Sequence, residues 1–203
     1  MNLSGDCDHP LITLVSRGSF FHDTHWGRDP DRKWDVTFAA DPGQIDHRNG
    51  PSASAGRWCT GQNGGIQCGV AQYEQFEQLV RDVHGSLVRD LLMGYLNCNS
   101  IRHRPRPIVY EFGCRKGRHR SVAICELPAH CMHTCGMSNV KVLHEHIRHH
   151  RSYNCGWDHT MGSCGWPHRC RSNPNSDTQW QWKLYLDEAR RKARTAWSEC
   201  RFS

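Results

Sequence analysis

The stretch IVYEFGCRKGRHRSV, residues 108–122, joins an apolar, β-prone run to a helical one through a glycine-bounded loop carrying four cations. Residues 108–112 have the β-branched and aromatic character of an interior strand, and only Glu111 requires polar surroundings. A helix is predicted to open at Ser121. Between the two, Gly113 and Gly117 admit positive φ, so that successive amides can turn toward one point. Those amides, the unpaired N–H groups of a first helical turn and the helix dipole all favour a phosphate or carboxylate. Arg120 offers a planar fork to oxyanion oxygens. Arg115, Lys116, Arg118 and His119 raise the local positive potential. The expectation is an oxyanion held over residues 114–121, with Cys114 and Ser121 at its two ends.

The same loop spaces Cys114-x-x-Gly117-x-x-Arg120-Ser121 as cysteine phosphatases do, where a thiolate attacks phosphorus while amides and the arginine hold the equatorial oxygens. Thiols at helix N-termini and beside cations ionise readily and become nucleophiles. Two features oppose that reading. Position 113 is glycine where phosphatases carry histidine, and no acid loop follows at a fixed offset. Asp35 and Asp41 are the upstream acids at strand-end positions. A motif becomes chemistry only when its partners are in place.

Outward from the loop, residues 11–15 predict a first strand followed by a Ser16-Arg17-Gly18-Ser19 turn, and residues 34–39 predict a second. Ligands of open α/β sheets gather at strand ends, which makes Ser16, Arg17 and Gly18 candidate contacts. Asp35 alternates away from Trp34 and Val36. It is a candidate to orient Arg120, take a proton or bind a sugar hydroxyl, against the simpler role of a solvated acid. Residues 41–69 are glycine-rich, include Pro42 and Pro51 and show no sustained periodicity, the pattern of a binding or mobile loop.

The clearest helix spans residues 73–95, where Tyr73, Phe76, Val80, Val83, Leu87 and Leu91 recur at three and four; Gly94 is expected to end it. The helix after the loop is expected to kink or stop at Pro128. Residues 139–143 predict a further strand with His144 at its end. Strand, crossover helix and parallel strand put the basic loop at the carboxyl edge of the sheet. The predicted fold class is α/β, a small, mainly parallel or mixed sheet with flanking helices over residues 10–152.

With 203 residues the chain has material for one core and an appendage. A mean hydropathy of −0.74 points to a large polar surface. No run approaches the roughly 20 apolar residues of a membrane span. The first ten residues hold Asp6 and Asp8 in place of a basic-then-apolar leader, so a soluble cytoplasmic protein with no membrane partner is expected. The net charge of +6 and 15 histidines suit a polyanion such as RNA, although a merely basic soluble protein has the same balance. Twelve cysteines without a secretory leader argue for free thiols or a metal site over a disulfide framework.

Residues 153–203 are a separate Cys-, His- and Trp-rich segment with a basic helix. Cys155, Cys164, His168 and Cys170 form a candidate tetrahedral zinc set that would stabilise a stretch lacking apolar periodicity. Their spacing matches no standard finger, and reduced thiols in a weakly ordered tail are the alternative. No other cofactor is required. Residues 177–197 predict a helix with Trp182, Leu186, Ala189, Ala193 and Ala196 or Trp197 on one face, made basic by Lys183, Arg190, Arg191, Lys192 and Arg194. Three roles suit it: packing back on the domain, gripping RNA with tryptophans stacked on bases, or contacting a protein.

Residues 112–122 resemble the C-terminal domain of the RapZ family of RNase adapter proteins, in which a Cys-x-Gly-Gly-x-His-Arg-Ser-Val loop follows a strand. Cys114, Gly117, His119, Arg120, Ser121 and Val122 match; lysine at 116 replaces a glycine and Arg115 a small residue, and both add charge. Further likenesses follow in order. LITLVSRGSFF (11–21) resembles the family's opening strand and Ser-Phe-Gly turn, and WDVTFAADP (34–42) resembles Phe-Asp-Val-Arg-Phe-x-x-Asn-Pro. Arg57, Thr60 and Gly61 of RWCTG are similar to a Leu-Arg-x-x-Thr-Gly turn, and NVKVLH (139–144) to a strand ending in histidine.

The likeness covers residues 10–150 and implies a small domain that binds RNA and senses an amino-sugar phosphate, with Arg57, Thr60, Gly61 and His144 joining the ligand contacts. No Gly-x-x-x-x-Gly-Lys-Ser/Thr loop occurs, so the ATP-binding domain of bacterial members is not expected. The leading expectation is a binding module for a phosphorylated small molecule and RNA. Its rivals are a phosphatase with Cys114 as nucleophile and Arg120 as clamp, and a structural relative whose pocket Lys116 closes. The sequence specifies no oligomeric state.

Overall fold

The computed structural model describes residues 10–19, 29–39, 61–62, 64–96, 106–117, 119–146, 157–158, 163–164 and 176–199. Strands β1 (Ile12–Gly18), β2 (Arg32–Asp35), β3 (Ile108–Cys114) and β4 (Val140–His144) form one sheet in the order β2-β3-β1-β4, with every neighbour parallel. The helices are α1 (Gly64–Ala71), α2 (Glu74–Leu96), α3 (Arg120–Thr134) and α4 (Ser176–Ser198). A two-stranded antiparallel ladder pairs β5 (Trp157–Asp158) with β6 (Ser163–Cys164). The predicted α/β class holds, and the sheet is parallel rather than mixed. Parallel neighbours need crossovers; the one through α3 passes over β1 and sets β4 on its far side.

β3 is interior because its alternate residues Ile108, Tyr110, Phe112 and Cys114 are buried, and β1 is a near-continuous buried run, as enclosed parallel strands are. Trp34, from the edge strand β2, stacks on Phe112 and meets Tyr110 edge-on, both at 5.2 Å between centroids. The hydroxyl of Tyr110 donates to Asp90 Oδ2 of α2 at 2.8 Å, and Arg32 Nη2 donates to Asp90 Oδ1 at 3.3 Å. The one polar atom of a buried ring is thereby satisfied. Burial, then Asp90, pushes the phenol pKa up.

Several elements depart from expectation for identifiable reasons. β1 continues through Ser16, Arg17 and Gly18, where a turn is predicted, because they pair with Phe112, Gly113 and Cys114. β2 begins earlier than predicted and ends at Asp35, whose Oδ1 accepts the Thr37 N–H at 2.9 Å and turns the chain. The glycine-rich span runs into α1, all eight residues of which are buried. A helix enclosed on every side leaves no amphipathic period to read. α3 opens one residue early, at Arg120, and runs through Pro128 to Thr134. Pro128 forfeits the bond to the Ile124 carbonyl, yet Ile124, Leu127, Cys131 and Met132 around it are core residues, and their packing carries the helix on. α2 passes Gly94 to reach Leu96, since a glycine in open space costs only about 1 kcal/mol and terminates nothing.

α4 packs back on the domain. Its Ala189, Ala193, Ala196 and Trp197 are buried in the same apolar cluster as the cores of α1, α2 and α3. Alanines on this face permit close approach: Lys192 Nζ donates to Ala71 O at 3.4 Å, and Arg194 Nη1 to His130 Nε2 at 3.0 Å. Arg81 of α2 and Glu199 are paired at 2.8 Å. No described helix is long and apolar enough to cross a membrane.

His130 accepts the Arg194 bond with a neutral ring. Burial, followed by the charges of Arg190 and Arg194, lowers its pKa to about 4. Histidine in an unfolded chain protonates near about 6.5. Between those values the unfolded state binds more protons, so this contribution to stability is present above that window and is lost as pH falls through it. Resistance to urea should therefore fall on going from about pH 7 to about pH 5, and His130→Gln should shrink that loss. An undiminished loss in the variant would assign the acid sensitivity elsewhere.

Candidate functional site

All four strands of the sheet run the same way, so their carboxyl ends at Gly18, Asp35, Cys114 and His144 open on one edge. Residues 115–117 leave β3 there. Gly117 has φ +64°, and its α-carbon rests on β1: an added Cβ would stand 2.5 Å from Gly18 N and 2.9 Å from the Arg17 carbonyl carbon. A Cβ on Gly18 would in turn stand 2.7 Å from the Lys116 carbonyl carbon. Only glycine satisfies both the left-handed turn and the approach of one main chain to another. Ser19 N donates to Cys114 O at 2.9 Å and fixes the pairing. Gly61 comes as close to the start of α3, where a Cβ would overlap His119 O and Ala123 N.

α3 begins with His119 as its N-cap and no side-chain cap bond. Ala123 N donates to His119 O at 2.9 Å, the first bond of the helix. The amides of Arg120, Ser121 and Val122 have no partner within it, and the positive end of the dipole lies with them. Cys114 Sγ is 3.2 Å from Ser121 Oγ, both atoms buried, while Arg115 and Lys116 are exposed.

Arg120 is buried, and its Nη1 donates to Thr37 O at 3.0 Å and Ala39 O at 2.8 Å. These bonds use both hydrogens of Nη1 and leave Nε and Nη2 as the remainder of the fork. Asp35 does not hold Arg120 itself. It shapes, through Thr37 N, the turn whose carbonyls Arg120 grips.

A second set of bonds braces the same edge. Ser16 Oγ lies 2.8 Å from His144 Nδ1, and His144 Nε2 lies 2.9 Å from Glu126 Oε1, which also accepts from Gln62 Nε2 at 3.2 Å. A carboxylate only accepts, so the assigned tautomer has the proton on Nε2 and Ser16 donating to Nδ1. The order serine–histidine–acid is that of a hydrolytic relay, but Ser16 is fully buried, and the chain of bonds serves to join β1, β4, α3 and residues 61–62. His146 Nδ1 accepts the Gly18 N–H at 2.9 Å. By alternation Arg17 lies on the other face, between Glu111 at 3.5 Å and Glu145 at 3.3 Å, with Lys33 3.8 Å from Glu111.

The structure thus brings Ser16, Asp35, Gly61, Cys114, Arg115, Lys116, Gly117, His119, Arg120, Ser121 and His144 to one edge. Arg57, Thr60 and Arg118 lie outside the described residues, as do Cys155, His168 and Cys170; Cys164 falls in β6. Among the described residues, no cluster of three or more His, Cys, Asp or Glu side chains could hold a metal ion. Burial pushes the Cys125 thiol well up and the Cys131 thiol up to about 12, as for inert core cysteines. The sequence reading passed over Glu126, Gln62 and the specific role of His146. Glu126 had a signal, being the lone charge in the apolar run VAICELPA.

A family model described as the RapZ C-terminal domain matches residues 13–148, from the second residue of β1 to beyond β4, and so contains all the strand ends at this edge. No curated protein matches the chain.

Gly117→Ala combines a left-handed backbone with a main-chain collision, and is expected to cost about 2–4 kcal/mol in urea unfolding. Gly85→Ala, in open space on α2, should instead stabilise by up to about 1 kcal/mol. Equal responses would show that the contact with Gly18 is not a constraint.

Proposed function

The chain belongs to the RapZ C-terminal domain family, and from that premise we propose that it binds a phosphorylated small molecule of the amino-sugar-phosphate type, and RNA, at the carboxyl edge of its sheet. The observation that carries the reading is the uncapped first turn of α3, set directly after the left-handed turn at Gly117 and bearing Arg120 at its first position. A phosphate there would accept from the orphan amides of the turn and from the Nε and Nη2 hydrogens of Arg120, with Arg115 and Lys116 raising the potential. Amides and a guanidinium hold oxyanion oxygens by donation alone, so binding needs no reactive group. RNA presents the same oxygens in series. The exposed cations of the loop and the chain's net charge of +6 support that half of the reading.

A second reading, cysteine-dependent phosphate transfer, is favoured by the 3.2 Å contact of Cys114 with Ser121 in the Cys-x5-Arg-Ser spacing. Against it, Cys114 is only 3% exposed, and Arg120 spends Nη1 on main-chain carbonyls. In a binder, Cys114→Ser keeps anion affinity, and phosphomonoester turnover is nil in both proteins; in an enzyme, turnover is present and lost with the thiol.

Calorimetric titration with inorganic phosphate should show binding that Arg120→Ala weakens at least about tenfold, the loss of two charge-assisted bonds. Affinity unchanged in Arg120→Ala would refute the site. For RNA, neutralising about four phosphates of a single strand gives a log–log salt slope near −3; a flat response would exclude RNA as the partner.

A further inference from the structure

We propose that His146 is the positioning residue that latches the end of β1 against the loop after β3, and that it does so only while its ring is neutral. The ligand arm of this proposal rests on the anion-site reading above; the latch itself does not. His146 is 3% exposed, and its Nδ1 accepts the main-chain N–H of Gly18 at 2.9 Å. An amide cannot reverse its donor, so this bond requires Nδ1 without a proton and places the hydrogen on Nε2.

His144, two residues earlier, is held differently. Its Nδ1 faces the Ser16 hydroxyl, which can turn from donor to acceptor, so that pair survives a gained proton. The Gly18 amide, unlike the Ser16 hydroxyl, cannot turn from donor to acceptor. Charged groups lie on each of the described segments beside His146. β1 presents Arg17, turned to Glu111 and Glu145; the loop presents Arg115 and Lys116; its own segment adds Glu145 and His144, with Glu126 of α3 behind His144.

A proton on Nδ1 would set N–H against N–H inside the protein and strip the buried Gly18 amide of its acceptor. Gly18 is also the surface on which Lys116 and Gly117 rest. Moving it moves the turn that delivers the start of α3. Histidine ordinarily titrates near about 6.5, so the latch is closed above that range and opens as pH falls through it. The direction is opposite to that of a simple basic loop, where added positive charge only tightens an anion.

The test uses the full chain. Amide exchange of Gly18, corrected for intrinsic rates and referred to Leu14 within β1, is followed from about pH 8 to about pH 5. Gly18 protection should fall about tenfold or more toward acid in the wild type. It should stay constant in His146→Asn, whose Oδ1 supplies an acceptor near Nδ1 without titrating. Sulfate, which keeps its charge over this range, is the ligand probe: wild-type affinity should drop at the acid end, and His146→Asn should hold or gain. Constant Gly18 protection in the wild type overturns the latch, as does an equal acid loss in His146→Asn. Should the variant not fold, the wild-type exchange profile decides alone. If Gly18 behaves as stated while sulfate binds at no pH, the latch stands and the anion reading falls.

Discussion

Where β1 ends and the chain leaves β3, main chain rests on main chain, with Gly18 on one side and Gly117 on the other. No side chain separates them. That contact sets the geometry of the whole edge: it fixes how the loop turns and therefore where α3 begins. Three residues later the helix starts at Arg120, with the amides that lack a partner within the helix beside the ends of β1 and β3. The Ser19 to Cys114 bond, the grip of His146 on Gly18 and the approach of Gly61 to the helix start hold the same junction from three directions. A larger side chain at either glycine would need one backbone to move, and the helix start would move with it.

Around this junction the polar groups divide by face of the sheet. On one face Arg17, Lys33, Glu111 and Glu145 pair among themselves, so their charges largely cancel. On the other, Ser16, His144, Glu126 and Gln62 form a part-buried chain of hydrogen bonds. Polar networks of that kind rigidify when complete and are costly when broken. Arg115 and Lys116 are exposed in the loop before α3 and add positive charge at its start.

Much of this was legible in the sequence because strand and loop chemistry are local. The 108–122 stretch displays its strand, its two glycines and its helix start in fifteen consecutive letters, and the amphipathic stripe of α2 is equally plain. What stayed hidden depends on tertiary enclosure. α1 has no polar face because every side of it is covered, and α3 passes Pro128 because core packing outweighs one lost bond. Arg120 was expected to present its fork to a ligand; two of its five N–H groups serve the carbonyls of Thr37 and Ala39, contacts made across 81 to 83 residues that no spacing rule predicts. The bonds of His144 to Glu126 and of His146 to Gly18 were invisible for the same reason: sequence shows residue types, not which strand ends become neighbours.

Amide chemical-shift mapping with inorganic phosphate separates a built anion site from a diffuse basic surface. The proposed site predicts saturable shifts concentrated at Gly113, Gly117, Arg120, Ser121 and Val122, extending to Gly18 and Gly61, with α2 silent. Shifts spread over the exposed cations of α4, without saturation and with the start of α3 unmoved, would contradict it.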